Sequence, residues 1–342
     1  MSHSNHGGAL ASLGWNDRVA ALYAELAGDS DLPARVVRVE RSQSVVVGPD
    51  GLDVLADSAV LPSVGDWVVL HDRAIRHVLP RWSELNRRDP ERPGVQTLAS
   101  NIDIVMIVAP ADRLSHARVE RELAVAWDSG ARPLVVLTKV DLAAPGMAAD
   151  LRDRLVGVDV IASSVVTGDG VDDMVATLRP DRTAVLLGPS GAGKSSLANA
   201  VLGGDVLATA EVRDSDRRGR HTTVSRQLLA VPGGGVIIDT PGLRSLGLAS
   251  NGGLDAAFPE IEQLAARCRF SDCSHEVEPG CAVQDAITDS RLAPARLASF
   301  RKLQREVASE GRRQEPSRRQ AQLRIWKARA KTAKYKDKRR PR

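Results

Sequence analysis

The chain has 342 residues, 43% of them apolar and 26% charged, the balance of a globular protein with room for two or three domains. No stretch reaches the roughly 18 uninterrupted apolar residues of a membrane helix, and the N-terminus lacks the basic and apolar blocks of a secretory signal, so neither a membrane nor export is expected. The net charge of +4 is unevenly placed: residues 312–342 hold 14 Lys/Arg against 2 Asp/Glu, a local +12 that leaves −8 on the rest, the pattern of a nucleic-acid-binding tail on an acidic body.

Residues 1–32 read as a leader with one amphipathic segment from Trp15 to Leu26. Over 33–80 short β-like runs take over, Arg35–Val39, Ser44–Val47 and Val64–Leu70, with Gly48-Pro49-Asp50-Gly51 as a turn. Several short strands in so few residues predict a small N-terminal β-barrel of the OB type, a pattern that other small β-barrels share. Residues 81–100 are polar and rich in Arg and Pro, and read as a linker.

Over 101–250 the rhythm is α/β. Nearly continuous apolar runs at 102–109, 133–138, 158–162, 183–188 and 235–239 have the look of strands buried on both faces. Helical segments at 117–129, 147–156, 171–178 and 194–202 alternate with them, which predicts a doubly wound parallel sheet. Asn251-Gly252-Gly253 breaks the pattern; a mostly helical region over 251–311 holds all three cysteines, and the basic tail follows.

Gly188-Pro189-Ser190-Gly191-Ala192-Gly193-Lys194-Ser195 fits G-x-x-x-x-G-K-[ST], after an apolar run and before a helical segment. Its glycines let backbone N–H groups close around a phosphate at a helix N-terminus. Lys194 is then placed to neutralise β/γ oxygens, Ser195 to ligate Mg²⁺, and Ser196 to complete the first helical turn of the site. Asp239-Thr240-Pro241-Gly242 ends a later strand; Asp239 suits the outer shell of Mg²⁺ and the Gly242 N–H suits a γ-phosphate. Between the two lies Gly219-Arg220-His221-Thr222-Thr223, in which either Thr222 or Thr223 could cap the Mg²⁺. Leu243 occupies the place where a water-orienting Gln is often found, so the isolated chain is expected to turn over slowly, with His221 or a partner supplying the missing group.

Thr138-Lys139-Val140-Asp141 ends an earlier strand, with Ser163-Ser164 after the next. The Asp141 carboxylate can accept from the N1–H and 2-amino groups of guanine, donors that adenine does not present, and unpaired buried contacts penalise the wrong base. Thr138 stands where Asn is usual. The base-reading string therefore precedes the phosphate loop, the reverse of an ordinary GTPase. Further on, Cys268-x4-Cys273-x-His275-x5-Cys281 offers three thiolates and an imidazole, a closed tetrahedral set for one structural Zn²⁺. Three clustered cysteines make a poor disulfide framework and indicate a reducing, cytoplasmic setting. Arg267 and Arg269 beside them suggest a basic knuckle for a phosphate backbone.

Over roughly 34–308 this order of motifs, T-K-V-D, S-S, G-P-S-G-A-G-K-S, G-R-H-T-T, D-T-P-G and the zinc set, resembles the ribosome small-subunit-dependent GTPase A (RsgA, YjeQ-like) family. Phe258-Pro259-Glu260-Ile261 and Cys268-Arg269-Phe270 add to the likeness. The resemblance implies an OB-fold, a circularly permuted P-loop GTPase domain and a C-terminal zinc domain. It also implies hydrolysis of GTP to GDP, stimulated by the 30S subunit in late maturation, with 16S rRNA as the main surface; a monomer is expected. The residues alone leave two other readings open: an RNA-binding assembly factor that holds GTP as a ligand, and a P-loop kinase or ATPase, against which Asp141 argues.

Overall fold

The computed structural model describes residues 8–40, 43–51, 53–58, 61–88, 95–178, 180–207, 226–239, 246–248 and 252–309. They fall into two compact units, one within 1–87 and 95–246, the other within 88–94 and 247–342. Among the described residues no helix is long and apolar enough to cross a membrane.

The first unit opens with two helices, α1 (Ala9–Ser12) and α2 (Asp17–Ala24); the Asn16 side chain caps α2 by accepting from Val19 N at 3.2 Å. Trp15 packs edge-on against Trp67, ring centroids 5.3 Å apart, which anchors this leader on the barrel. The barrel strands are β1 (Leu32–Val39), β2 (Ser44–Val47), β3 (Asp53–Ser58), β4 (Trp67–His71) and β5 (Ala74–Val78). They run in the order β1-β2-β3-β5-β4, and pairing of β4 back onto β1 closes the cylinder. Alternate β-branched and small side chains fill it, Val36, Val46, Ala56, Val68 and Ile75. The barrel expected from three apolar runs is thus present with five strands. The two extra ones, DVLADS and AIRHV, mix apolar residues with charged or weakly β-forming ones and give little periodic signal.

The stretch expected to be a linker holds two strands, β6 (Glu84–Arg88) and β7 (Val95–Ser100), paired in a small sheet of their own. Leu85 and Leu98, each 1% exposed, are their apolar anchors. The polar residues that read as linker satisfy a buried carboxylate instead. Arg81 donates to both Asp66 oxygens at 2.7 Å, while Ser100 Oγ and Ser63 N donate to them at 2.6 and 2.7 Å.

The α/β part contains β8 (Ile104–Pro110), β9 (Arg132–Thr138), β10 (Asp159–Ser163), β11 (Thr183–Leu187), β12 (Gln227–Ala230) and β13 (Val236–Asp239), in the order β10-β9-β8-β11-β13-β12. All pair in parallel except β12, which is antiparallel to β13. Helices α3 (His116–Asp128), α4 (Met147–Arg154), α5 (Val171–Leu178) and α6 (Lys194–Leu202) alternate with the strands. Val108, Val136, Leu186 and Ile237 pack with Met174, Leu197 and Val201 in one core. Every residue of β8 is buried, so the strand is covered on both faces, as continuous apolar runs require. Strand β12 was not expected from the sequence; it borders residues outside the described set and spans only four positions.

Barrel and α/β sheet are continuous, because β1 pairs with β12 at Arg38↔Gln227. Arg35 reinforces this join: wholly buried, it donates to Thr183 Oγ1 at 2.8 Å and to the Leu13 carbonyl, and lies 4.8 Å from the Trp67 ring. Burial lowers its pKa to about 10, with Asp103 and Asp66 opposing the shift. The guanidinium therefore stays charged at neutral pH.

The second unit holds α7 (Gly252–Ala257), α8 (Pro259–Ala265), α9 (Ala282–Thr288) and a helix over 294–309. Here the Phe258-Pro259-Glu260-Ile261 string has a structural explanation. Pro259 opens α8, where its missing N–H costs nothing. Phe258 packs on Phe300 with centroids 5.5 Å apart, and Glu260 accepts from Arg296 Nε at 2.6 Å.

Candidate functional site

In a parallel sheet all carboxyl ends lie along one edge. Strands β8, β9 and β10 progress outward in one direction, and β11 and β13 lie on the other side of β8. The reversal falls between β8 and β11, and the crevice beyond such a switch point is where open α/β sheets bind ligands. The loops leaving these two strands are Ala111–Arg113, a short 3₁₀ turn, and residues 188–193.

The 188–193 loop has the form of a phosphate cradle. Gly188 sits at φ +145°, and a Cβ there would lie 2.5 Å from the Val108 carbonyl oxygen. Gly193, at φ +92°, is the N-cap of α6. This leaves the N-terminal N–H groups of α6 and its positive dipole end facing the crevice. Lys194 Nζ donates to the carbonyls of Gly188 and Pro189 at 2.9 and 2.8 Å, so the ammonium lies across the loop. Ser195 and Ser196 follow in the first turn, both half-buried. Asp239 closes β13 two strands from β8, opposite Gln227. Gly242, Leu243, His221, Thr222 and Thr223 lie outside the described residues.

Thr138, Lys139, Val140, Asp141, Ser163 and Ser164 gather at the ends of β9 and β10, where Thr138 is in register with Ser163. Thr138 Oγ1 donates to the Ala192 carbonyl at 2.8 Å, tying this loop to the phosphate cradle. The unusual Thr therefore serves as a strut between the two strings. Asp141 Oδ1 accepts from Ser164 Oγ at 2.6 Å, which fixes the carboxylate while leaving Asp141 exposed at the crevice. Ser163 Oγ is buried and has no hydrogen-bond partner among the described residues, a polar atom available to a ligand at this end.

A cavity of about 280 Å³ adjoins the phosphate loop, lined by Pro110, Arg113, Ser115, Arg118, Glu122, Pro189 and Ser190 among others. Sequence reading did not single out Glu122, which lies in the middle of a helical pattern. Burial pushes its carboxyl up to about 7, against the pull of Arg118, Lys194 and Arg121.

In the second unit Cys268, Cys273, His275 and Cys281 bring one ligand atom each to within 4.8 Å of one another. Cys268 Sγ lies 3.9 Å from Cys281 Sγ, and His275 Nδ1 lies 3.6 and 3.5 Å from those two sulfurs. Tetrahedral Zn²⁺ with Zn–S near 2.3 Å needs S···S separations of about 3.8 Å, so the set fits a closed zinc site. Local structure explains the convergence. His275 adopts φ +60°, and its carbonyl accepts from both Gln284 Nε2 and an Arg301 N–H; Cys281 is the N-cap of α9. Burial and the neighbouring Cys281 and Cys268 side chains push the Cys273 thiol up to about 11, the response expected of crowded sulfurs without a cation. Burial and Arg301 lower the pKa of His275, which keeps the imidazole neutral and able to ligate. Arg267 and Arg269 are exposed beside the cluster.

A doubly wound sheet with a glycine-rich cradle at its switch point defines a P-loop nucleotide-binding fold, and here the candidate base-reading loop comes before that cradle in the chain. The sequence profile of the RsgA GTPase family matches residues 78–249. Small ribosomal subunit biogenesis GTPase RsgA of Streptomyces coelicolor is 48% identical over 325 residues, covering 89% of this chain and 88% of that protein. The protein of the same name from Opitutus terrae is 41% identical over 348 residues, covering 93% and 95%. Two crystal structures share the fold. YjeQ from Thermotoga maritima has a TM-score of 0.62 at 24% identity, covering 81% of this chain and 99% of its own. YloQ, described as a circularly permuted GTPase, has a TM-score of 0.60 at 23% identity, covering 82% and 96%. The chain belongs to the RsgA GTPase family.

Proposed function

We propose that this protein is a GTP hydrolase that acts in biogenesis of the small ribosomal subunit, with the 30S particle and its 16S rRNA as the binding surface and stimulus. The observation that carries the reading is the Thr138–Ala192 hydrogen bond, which ties a guanine-type loop and a phosphate-type loop into one crevice. Asp141, oriented by Ser164, accepts from guanine N1–H and the 2-amino group; Lys139, Val140, Thr138 and Ser163 wall the base end. Residues 188–193 wrap the phosphates with backbone N–H groups, and Lys194 leaves its loop carbonyls for the β/γ oxygens. Ser195, Asp239 and one of Thr222 or Thr223 would hold Mg²⁺, which supplies charge neutralisation at those oxygens when bound with the nucleotide. Gly242 serves as γ-phosphate sensor and His221 helps position the attacking water, since Leu243 cannot. The zinc set stiffens a short loop that presents Arg267 and Arg269 to a phosphate backbone. The protein works as a cytoplasmic monomer, and the boundaries read from sequence (33–80, 101–250, 251–311 and the tail over 312–342) serve as its division of labour.

Lys194→Ala is the direct test. The expected outcome is that GTP hydrolysis is lost and the protein fails to leave the small subunit. Normal release with hydrolysis abolished would make GTP a mere ligand of an RNA-binding factor.

A further inference from the structure

The turn over Ala111–Arg113 places two adjacent side chains on the two loops of the candidate nucleotide site. Asp112 Oδ2 accepts from Lys139 Nζ at 3.1 Å. Arg113 donates through one terminal nitrogen to the Ser190 carbonyl at 3.2 Å. The same guanidinium nitrogen would lie 2.6 Å from a Cβ on Gly191, so the loop glycine leaves room for the arginine. Lys139 needs such a tether, because it sits at φ +58° and ψ +39°, a left-handed conformation costly for a side chain with a Cβ. The turn itself is rigid at its root, since Pro110 and Thr138 are in register across β8 and β9.

We infer that Asp112 and Arg113 are positioning residues that fix the distance between the base-reading loop and the phosphate loop, and so couple recognition of guanine to retention of the phosphates. This rests on the nucleotide reading above. Neither residue needs to touch the nucleotide. Each contact alone is weak, being a partly exposed ion pair and a single exposed hydrogen bond. Their effect comes from joining two loops that must grip opposite ends of one rigid ligand, where a small misplacement weakens both grips. Thr138 braces the same pair of loops from beneath, so the turn is the second of two struts and its loss loosens the site without dismantling it.

The test compares GDP with IDP, which lacks the 2-amino group, on the full-length protein with Arg113→Ala and, separately, Asp112→Asn. Both positions are at the surface, so nucleotide-free melting temperature serves as the folding control. The expected result is GDP dissociation about tenfold faster in each variant. The GDP/IDP affinity ratio should also fall at least about threefold in Arg113→Ala, although Arg113 lies at the phosphate end. In turnover, KM for GTP should rise more than kcat falls, and Arg113→Lys should restore part of the loss. Equal weakening of GDP and IDP by Arg113→Ala overturns the coupling and reduces Arg113 to a support of one loop. Unchanged dissociation rates overturn it entirely. A wild-type protein that does not prefer GDP to IDP would instead remove the guanine reading of Asp141, and the inference with it.

Discussion

Asp141 shows how much one side chain can decide. Its carboxylate is held by Ser164 Oγ at 2.6 Å and, on the proposed reading, presents only acceptors to the guanine edge. Asp141→Asn exchanges one acceptor for a donor. Binding of GDP should fall about 100-fold or more, and xanthosine diphosphate, which carries a carbonyl where guanine has its amino group, should become the better ligand. Competition against a fluorescent nucleotide reads this directly; unchanged guanine preference would place base recognition elsewhere. Glu122 makes a separate prediction. Its pKa rises from 4.5 toward 7 because burial disfavours the ionised form. For a carboxyl raised in the fold, the unfolded chain loses its proton first. The stability it contributes is therefore intact below about 4.5 and declines as pH rises to about 7. Glu122→Gln should accordingly gain in melting temperature over wild type at pH 8 more than at pH 5. An equal difference at both pH values would mean that the carboxyl is ordinary.

At the scale of elements, the motif-bearing loops were legible and much of the scaffold between them was not. The glycine-rich loop could be read because its backbone restricts residue type at key positions: Gly188 meets the Val108 carbonyl, and Gly193 takes a positive φ. Helices over 171–178 and 194–202 were legible from their periodicity, and the buried strands from unbroken apolar runs. Strands β6 and β7 escaped because only Leu85 and Leu98 mark them as core. Glu84 and Ser100, at their ends, and the nearby Arg81 belong to a polar network that pattern alone cannot tell from solvent-facing linker. Asp112 and Arg113 escaped for a related reason, since two charged residues after a strand give no sign of what they will touch. The cysteine element behaves differently again, its legibility resting on ligand spacing. Because the thiols must lose protons to bind metal and Cys273 stands near 11 without it, acid should release Zn²⁺. Titrating from pH 8 to 5 with a chelating dye should show metal release together with loss of helical signal, and Cys281→Ser should show both already at pH 8. Retention of metal at pH 5, or an unchanged fold without it, would contradict a structural zinc.

For the whole molecule the rotated order has a topological consequence within the first unit. Strand β12, which follows the segment carrying Thr222 and Thr223, pairs on one side with β13 and on the other with barrel strand β1. The barrel is thus hydrogen-bonded to the strand that leaves one candidate switch and neighbours the strand that enters the other. Arg35, in the middle of β1, reinforces the same join through Thr183 at the start of β11. A rigid connection of this kind lets a surface clamped on RNA influence the nucleotide site, whereas a flexible linker would not transmit it. On the proposed reading, Leu243 stands where a water-orienting side chain is often found, and that influence completes the hydrolytic site. The measurement that bears most directly on this account is GTP turnover by the purified protein with and without purified 30S subunits, with ATP as control. The account predicts slow turnover alone, a rise of at least about tenfold with the subunit, and no response with ATP. A GTPase rate indifferent to the 30S subunit would contradict it.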